Sequence, residues 1–279
     1  MNIIESLIYG AVQGLAEFLP ISSSGHLAIF HALLGDGDAT ENLAFDVLLH
    51  LGTLVAVVIV YRRDIWQLIT SFFSLIGKLF HKNFKFSTYT EGERFVILVL
   101  IATLPLIPAA LLDHYIEAVA GSLLAVGIIL IVNSVMLYIS DLLPRGSKGL
   151  YEMTPKNALI VGLSQMIAVF PGLSRSGTTI TVGLTQKMTR EFAVKFSFIM
   201  SIPAILGACV LKIPDFVSTV ATEDPSSLGI YFAGALTAGI VGVLAMKLLQ
   251  FIAKKSTFKY FSIYSLAVGV GAVIYSIVR

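Results

Sequence analysis

The stretch from Gln13 to His26 concentrates side chains that could do acid–base and nucleophilic chemistry. It contains the carboxylate of Glu17, three consecutive serines centred on Ser23, and the imidazole of His26. A neutral imidazole can take a proton from a hydroxyl and return it to a leaving group. Because Ser23 lies three residues before His26, we predict that Ser23 attacks and that His26 is its base. An activated water in place of Ser23, or attack by His26 itself, stays open.

A near-copy of this layout occurs 152 residues later in the chain. The offset places Gln13 on Gln165, and it places Ser23 on Arg175 within a second serine-rich turn. The other matched pairs are Ser22 with Ser174, Ser24 with Ser176, Gly25 with Gly177, and His26 with Thr178. The second copy therefore supplies a permanent positive charge that the first copy lacks.

Both serine-rich turns are typical of helix starts, because a serine oxygen can accept hydrogen bonds from the first free backbone N–H groups. Helix N-termini suit phosphates, and an arginine adds a bidentate donor. We therefore predict that the two turns face each other and form a phosphate-binding cradle. The predicted ligands are Arg175, Ser22, Ser24, Ser174, Ser176, Gly25, Gly177 and Thr178. The alternative, that the serines only cap helices, stays open.

A divalent cation is the second expected component of the site. Gln13 and Glu17 are four residues apart and lie on one helix face. A carboxylate inside a membrane needs a partner, which could be Arg175, a cation or both. Magnesium prefers oxygen ligands together with substrate phosphates, so we predict Mg²⁺ at Glu17 and Gln13, with Ca²⁺ as the alternative. Asp46 and His50, also four residues apart, are expected to pair beside the site.

The composition places this chemistry in a membrane. Of the 279 residues, 56% are hydrophobic and 13% are charged, whereas soluble domains contain about 25% charged residues. The net charge of +2 and the lack of a long basic run exclude a nucleic-acid partner. The single cysteine, Cys209, excludes an intrachain disulfide. We therefore predict an all-α, multi-pass protein that forms one membrane domain.

Segment lengths predict six transmembrane helices and two re-entrant hairpins. Crossing the hydrocarbon takes about 20 helical residues, and six apolar segments reach that length, at 42–61, 93–112, 122–142, 192–211, 228–251 and 258–278. The shorter pairs, 3–18 with 27–34 and 157–170 with 178–186, are each predicted to enter and leave on one side. A stretch at 65–80 is predicted to lie along the interface. Pro105, Pro108 and Pro203 are expected to kink their spans.

The charges orient this layout. Sixteen of the 19 lysines and arginines fall on one face, which the positive-inside rule makes cytoplasmic, with both termini outside. The opposite face receives mainly acidic residues: Asp36, Asp38, Glu41, Asp113, Glu117, Asp215, Glu223 and Asp224. The first hairpin then enters from outside and the second from the cytoplasm. The repeats, 1–143 and 155–279, are therefore predicted to be inverted.

Inverted repeats with broken helices also occur in secondary transporters. A secondary transporter or lipid flippase is thus the rival interpretation, and it requires substrate movement between the two faces without phosphate release. Small residues four apart, Gly234 with Ala238 and Ala267 with Gly271, could serve a homodimer or internal packing. We favour internal packing for most of them.

The segments 13–26 and 171–180 resemble the two signature motifs of the bacterial undecaprenyl-diphosphate phosphatase family of the bacitracin-resistance type. The resemblance extends over the whole chain, with Gln13 as the Gln variant of the first motif and Arg175 as the phosphate-gripping arginine. It implies hydrolysis of undecaprenyl diphosphate to undecaprenyl phosphate and inorganic phosphate, which recycles the lipid carrier for cell-wall synthesis and gives bacitracin resistance. It also implies a multi-pass protein of the bacterial plasma membrane whose site opens to the outer, periplasmic face.

Overall fold

The described part of the chain is almost wholly helical. A computed structural model describes residues 1–34, 43–79, 89–222, 225–255 and 257–278. Within these ranges the regular structure is helical, apart from one isolated bridge between Lys148 and Met188. The all-α prediction is confirmed. Five of the predicted acidic positions, Asp36, Asp38, Glu41, Glu223 and Asp224, lie outside the described residues.

Each half of the chain opens with two short helices. The first half comprises α1 (Ile3–Phe18), α2 (Ser23–Leu34), α3 (Leu43–Val60), α4 (Arg62–Leu79), α5 (Glu91–Thr103), α6 (Leu106–Ala109), a 3₁₀ turn (Ala110–Leu112), α7 (Asp113–Ala120) and α8 (Leu123–Leu142). The second comprises α9 (Pro155–Ile167), α10 (Arg175–Thr185), α11 (Arg190–Leu211), α12 (Ile213–Thr222), α13 (Pro225–Lys255) and α14 (Lys259–Val278). All four short helices expected from the sequence are present.

The chain has enough long apolar helices for a multi-pass membrane protein. Among the described residues, five segments could cross a membrane: Glu91–Ala109, Leu123–Leu142, Arg190–Leu211, Ser227–Lys254 and Lys259–Val278. A sixth passes the same test only as the pair α3 and α4, which are bent by 89° relative to each other. The multi-pass prediction is therefore confirmed, with five or six spans.

Helix α4 has the character of an interfacial helix. Trp66 and Phe73 expose large apolar side chains, whereas Asp64 forms an ion pair with Lys195 of α11 at 2.5 Å. If α3 crosses the membrane, the bend of 89° after it lays α4 along the membrane surface. Amphipathic helices with large apolar side chains on one face favour that location.

Proline acts differently in two of the spans. Helix α5 ends at Thr103 and α6 begins at Leu106, because Pro105 between them has no N–H group and its ring disfavours helix continuation. The expected kink at this position is therefore a break. Pro203, in contrast, lies inside α11 without ending the helix.

Glycines bring the two halves into close contact at matching positions. A Cβ atom added to Gly10 of α1 would lie 2.3 Å from the carbonyl oxygen of Gly234 in α13. A Cβ atom added to Gly162 of α9, which is 152 residues later, would lie 2.3 Å from the carbonyl oxygen of Ala102 in α5. Each opening helix therefore packs against a helix of the other half, and only a glycine permits this approach.

The small-residue pairs predicted from the sequence have different surroundings. Gly234 and Ala238 lie in the internal contact between α1 and α13. Ala267 and Gly271 lie on the exposed side of α14, and a Cβ atom on Gly271 would meet nothing within 4 Å. Internal packing thus accounts for the first pair, and the homodimer stays a prediction.

The largest apolar core surrounds the turn that joins α1 to α2. Phe18 is fully buried and meets Phe198 of α11 edge to face, with ring centroids 5.5 Å apart. Leu19 and Ile21 are buried in the same cluster with Ile180 of α10. Inside a membrane such contacts stabilise through close packing rather than through exclusion of water. The core therefore holds the first turn against the second.

Candidate active site

The two serine-rich turns lie directly against each other. Ser22 has a φ of +72°, and its Oγ accepts hydrogen bonds from the N–H groups of Gly25 and Gly172, both at 3.2 Å. Gly172 belongs to the second turn and has a φ of +100°, which suits glycine. A Cβ atom on Gly25 would lie 3.1 Å from Gly172 Cα. The capping reading of Ser22 therefore holds, and the same hydroxyl ties the turns together.

An asparagine in α8 forms hydrogen bonds with both turns. Asn133 of α8 donates from Nδ2 to the carbonyl oxygen of Pro20 at 3.1 Å, and its Oδ1 accepts from the N–H group of Ser174 at 3.1 Å. Ser174 caps α10, since its Oγ accepts from the N–H group of Gly177 at 3.1 Å. Asn133 is fully buried. These bonds therefore replace the hydrogen bonds to water that its amide, the Pro20 carbonyl and the Ser174 N–H group lose on folding.

The carboxylate of Glu17 is the group on which both turns converge. Oε1 accepts a hydrogen bond from the guanidinium of Arg175, which also pairs with it as an ion. Oε2 accepts from Ser23 Oγ at 2.8 Å and from Gln13 Nε2 at 3.1 Å. Because Glu17 is only 7% exposed, these donors and the positive charge replace its lost solvation. The structure thus brings together four of the predicted site residues, three from the first copy of the motif and Arg175 from the second.

These groups line a cavity of about 720 Å³ with two kinds of wall. The polar wall comes from the turns and from neighbouring helices: Glu17, Ser22, Ser23, Ser24, His50, Thr103, Gln165, Ser174 and Arg175. Most of the apolar wall comes from the region of α6 and from α11, for example Leu106, Ile107 and Leu211. Ile107 and Leu211 are 70% and 65% exposed, so in a membrane this wall continues to the lipid.

The predicted phosphate ligands divide into two groups. Arg175, Ser22, Ser24 and Ser174 line the cavity. The remaining four, Ser176, Gly25, Gly177 and Thr178, are buried in the junction between the turns and are absent from the described cavity wall. Ser176, for example, bonds to Ser174 Oγ at 3.1 Å and to the carbonyl oxygen of Leu19 at 3.4 Å.

His26 points away from the predicted nucleophile. Its Nδ1 lies 2.7 Å from the carbonyl oxygen of Ser22, so Nδ1 carries the proton, since a carbonyl can only accept. Nε2 then accepts from the hydroxyl of Tyr264 in α14 at 2.8 Å, and the two rings stack with centroids 5.5 Å apart. The structure therefore does not bring His26 against Ser23, because both ring nitrogens are engaged elsewhere.

A different histidine lines the cavity. His50 of α3 donates from Nδ1 to the backbone carbonyl of Asp46 at 2.8 Å, which leaves Nε2 of the neutral ring as an acceptor. The expected pairing of Asp46 with His50 is thus a contact with the backbone, not with the carboxylate. His50 and Glu17 line the same cavity, so His50 belongs to the immediate surroundings of the site.

The sequence matches a known family over almost its whole length. A family model described as bacitracin resistance protein BacA matches residues 6–271. The chain belongs to the BacA family. A protein named undecaprenyl-diphosphatase from Methanobrevibacter smithii is 42% identical over 273 residues, which is 97% of this chain and 96% of the relative. Relatives with the same name from Methanosphaera stadtmanae and Desulforapulum autotrophicum are 41% and 36% identical, over 100% and 98% of this chain and 99% and 98% of their own lengths.

The oxygen atoms available for a cation in this BacA-family chain are few. The described residues contain no group of three or more His, Cys, Asp or Glu side chains placed to hold a metal ion. Next to Glu17, however, Gln13 Oε1 is buried and has no hydrogen-bond partner within the described structure. One carboxylate and one free amide oxygen fit Mg²⁺ only if substrate phosphates complete its ligands, which is usual for this ion.

Three residues near the site were not assigned a role from the sequence. Asn133 is a lone amide inside an apolar segment, and a polar side chain in such a segment could have indicated a role near the site. Gln165 was matched to Gln13 by the repeat, but the match did not reveal that its side chain lines the cavity. Tyr264 gave no signal, because a tyrosine in a membrane helix is common and its contact with His26 joins residues far apart in the sequence.

Proposed function

We propose that this chain hydrolyses undecaprenyl diphosphate to undecaprenyl phosphate and inorganic phosphate. The cavity carries the proposal, because a lipid diphosphate needs a cationic, hydroxyl-lined pocket for its head and an apolar wall for its chain. Arg175 and the serines supply the first, and the region of α6 and α11 supplies the second. Sequence identities of 42% and 41% over 97% and 100% of this chain, to proteins named undecaprenyl-diphosphatase, support the same substrate. The reaction recycles the lipid carrier for cell-wall synthesis and gives resistance to bacitracin.

The contacts of Glu17 suggest how the chemistry proceeds. Arg175 holds the phosphates and stabilises the charge of the transferred group, which is where most phosphoryl-transfer catalysis arises. Ser23 attacks the terminal phosphorus and passes its proton to Glu17 Oε2, which lies 2.8 Å from its Oγ. The bond to the bridging oxygen breaks and undecaprenyl phosphate leaves. Water then attacks the phosphorus of the phosphoserine, the bond from phosphorus to Ser23 Oγ breaks, Oγ takes back the proton from Glu17, and inorganic phosphate leaves with both protons of the water. In this proposal Glu17 takes the role of base that the sequence suggested for His26.

A divalent cation completes the proposed site. Gln13 and Glu17 would hold it together with substrate phosphate oxygens, and the free Gln13 Oε1 supports this assignment. When bound, Mg²⁺ or Ca²⁺ would neutralise charge on the diphosphate. Gln13 also orients the carboxylate of Glu17, because its Nε2 donates a hydrogen bond to Glu17 Oε2 at 3.1 Å.

The architecture proposed around the site is an inverted repeat of two re-entrant hairpins and six spans in one membrane domain. The matched contacts of Gly10 and Gly162 support it, as do the hydroxyl hydrogen bonds that Ser22 and Ser174, 152 residues apart, accept at the starts of α2 and α10. The basic face is cytoplasmic by the positive-inside rule. The site then opens to the outer face of the plasma membrane.

Phosphate release by the purified protein in detergent tests the function. Changing Arg175 to Gln should lower kcat/KM by about 10³-fold, because the charge that stabilises the transferred phosphoryl group is lost. Arg190→Gln is the matched control: Arg190 forms a part-buried ion pair with Asp141 at 2.9 Å and is absent from the described wall of this cavity. Its kcat/KM should stay within about threefold, because Arg190 donates to Asp141 and to the carbonyl oxygen of Ser140 rather than to groups that line the cavity.

The same assay separates the alternatives. Near-wild-type release by the Arg175 variant would refute the assignment of the site. Chelation should stop release, and added Mg²⁺ should restore it. In liposomes, movement of labelled lipid between leaflets without phosphate release would favour the rival transporter or flippase.

A further inference from the structure

Gln165 is a buried amide for which the described part of the chain provides no hydrogen-bond partner. It lies on α9, its side chain lines the cavity together with Ser174 and Arg175, and the residue is 1% exposed. Within the described part of the chain, neither Oε1 nor Nε2 accepts or donates a hydrogen bond. Other buried or half-buried glutamines do find partners: Gln250 Nε2, for example, donates to Tyr61 Oη at 2.7 Å.

An amide in this position calls for a partner that enters the cavity. Buried polar groups are almost always hydrogen-bonded, because an unpaired one costs free energy. Its neighbours along the cavity wall, Val169 and Leu173, are apolar and offer no side-chain partner. Both polar atoms of Gln165 are therefore free to bind a molecule in the cavity, and the proposed function identifies that molecule as a lipid diphosphate.

The chemistry of the amide matches a diphosphate. Phosphate oxygens accept several hydrogen bonds, but two of the donors on the cavity wall, Arg175 and Ser23, also donate to Glu17. Gln165 Nε2 adds a donor that has no such commitment. Gln13, its counterpart in the first copy, differs because its Nε2 already donates to Glu17. The two matched glutamines therefore differ in their contacts. Gln13 orients the carboxylate of Glu17, whereas Gln165 faces the cavity in which the diphosphate would bind.

We propose that Gln165 is a substrate-binding residue that donates a hydrogen bond from Nε2 to the diphosphate group. The identity of the ligand rests on the proposed function, whereas the binding of a diphosphate by Gln165 can be measured without turnover. Inorganic pyrophosphate is a suitable probe, since it carries the diphosphate group and no lipid.

Two substitutions test the proposal in the full-length protein. Gln165→Met keeps an unbranched side chain of similar size and removes both polar atoms. It should raise KM for undecaprenyl diphosphate about 10- to 100-fold, the loss expected for one hydrogen bond to a charged group, and change kcat less than about threefold. Its thermal midpoint should be equal to or above that of the wild type, because an unpaired buried amide is removed. Gln165→Glu should raise KM further, because a carboxylate repels phosphate.

The matched control is Ser164→Ala on the same helix. Ser164 is buried, its Oγ donates to the carbonyl oxygen of Val161 at 2.6 Å, and it is not in the described cavity wall. Its KM should stay at the wild-type value. Inorganic pyrophosphate should raise the thermal midpoint of the wild type and of Ser164→Ala, and it should not raise that of Gln165→Met.

Each outcome decides the proposal. Unchanged KM and unchanged stabilisation by pyrophosphate in both Gln165 variants would overturn it. A Gln165→Met protein that loses thermal stability in step with activity would also overturn it, because a structural role would then explain the loss. If the wild type binds pyrophosphate through Gln165 but releases no phosphate, the proposed function fails and this inference stands.

Discussion

At Glu17 one buried carboxylate joins the two copies of the motif, and the proposed mechanism also uses it as the base. It accepts hydrogen bonds from Arg175, Ser23 and Gln13, which come from both copies of the motif. Removing one partner of a buried ion pair costs about 3–5 kcal/mol, because the remaining charge is left uncompensated. Substitutions of Glu17 therefore mix effects on stability and on turnover. Its neutral neighbours are the sharper probes.

Ser23 and Ser24 form such a pair of probes. Both line the cavity, but only Ser23 donates to Glu17, at 2.8 Å, whereas Ser24 Oγ lies 3.4 Å from Ser22 Oγ. Ser23→Ala should lower kcat at least about 10³-fold, because it removes the nucleophile. Ser24→Ala should lower kcat/KM no more than about tenfold. Single-turnover phosphate release measures both.

The same measurement tests the other candidates for the chemistry. Turnover by Ser23→Ala within about tenfold of the wild type would show that a water attacks instead. His26→Ala should keep the covalent step if Glu17 is the base, since the His26 ring contacts Ser22 and Tyr264 rather than Ser23. Loss of that step in His26→Ala with an unchanged thermal midpoint would restore the role predicted from the sequence.

These residues also show what the sequence could reveal at this scale. Glu17 and Arg175 could be singled out because a charge in an apolar chain needs a partner or a function, and Ser23 was singled out because it lies three residues before His26. The direction of the His26 ring was not predictable. A spacing of three residues places two side chains on one helix face, but the ring is held by Tyr264, which lies 238 residues away.

At the scale of the elements, a single asparagine fixes the position of both turns. The sequence predicted the four short helices, since Pro20 and Pro171 interrupt apolar segments at fixed places. It did not predict what holds the turns together. Asn133 does so from α8 through Pro20 and Ser174, and such a contact depends on packing between helices that local patterns do not encode.

Loss of Asn133 should therefore loosen both turns at once. Asn133→Ala leaves the N–H group of Ser174 and the carbonyl oxygen of Pro20 unpaired, and each costs about 1–3 kcal/mol. We expect the free energy of unfolding in detergent to fall by about 2–4 kcal/mol and kcat to fall with it. Ser134→Ala is the control, because the Ser134 hydroxyl contacts only Ser262 among the described side chains. An Asn133→Ala protein as stable as this control would contradict the role.

At the scale of the whole molecule, the two halves repeat each other in contacts as well as in sequence. Gly10 and Gly162 make the same close approach to opposite halves. The hydroxyls of Ser22 and Ser174 each accept a hydrogen bond from the N–H group of the glycine three residues later, although the backbone of Ser22 has a positive φ and that of Ser174 is extended. At one matched position in the turns the residue types differ in charge, with Ser23 in the first turn and Arg175 in the second. The proposed site therefore needs both halves, because the first half supplies the proposed nucleophile, Ser23, and the second supplies the guanidinium group of Arg175.

The orientation of the molecule decides which side of the membrane can deliver the substrate. The acidic α7 is expected outside and the start of α9 in the cytoplasm, because basic residues concentrate on the latter face. Glu117 of α7 and Lys156 of α9 are exposed and suit substitution by cysteine. In a Cys209→Ser background, a membrane-impermeant maleimide should label Glu117→Cys in intact cells and label Lys156→Cys only after permeabilisation. Both variants should react fully in detergent, which controls for access to the thiol. The reverse pattern would place the site on the cytoplasmic side, and the reaction would then act on substrate supplied from within the cell.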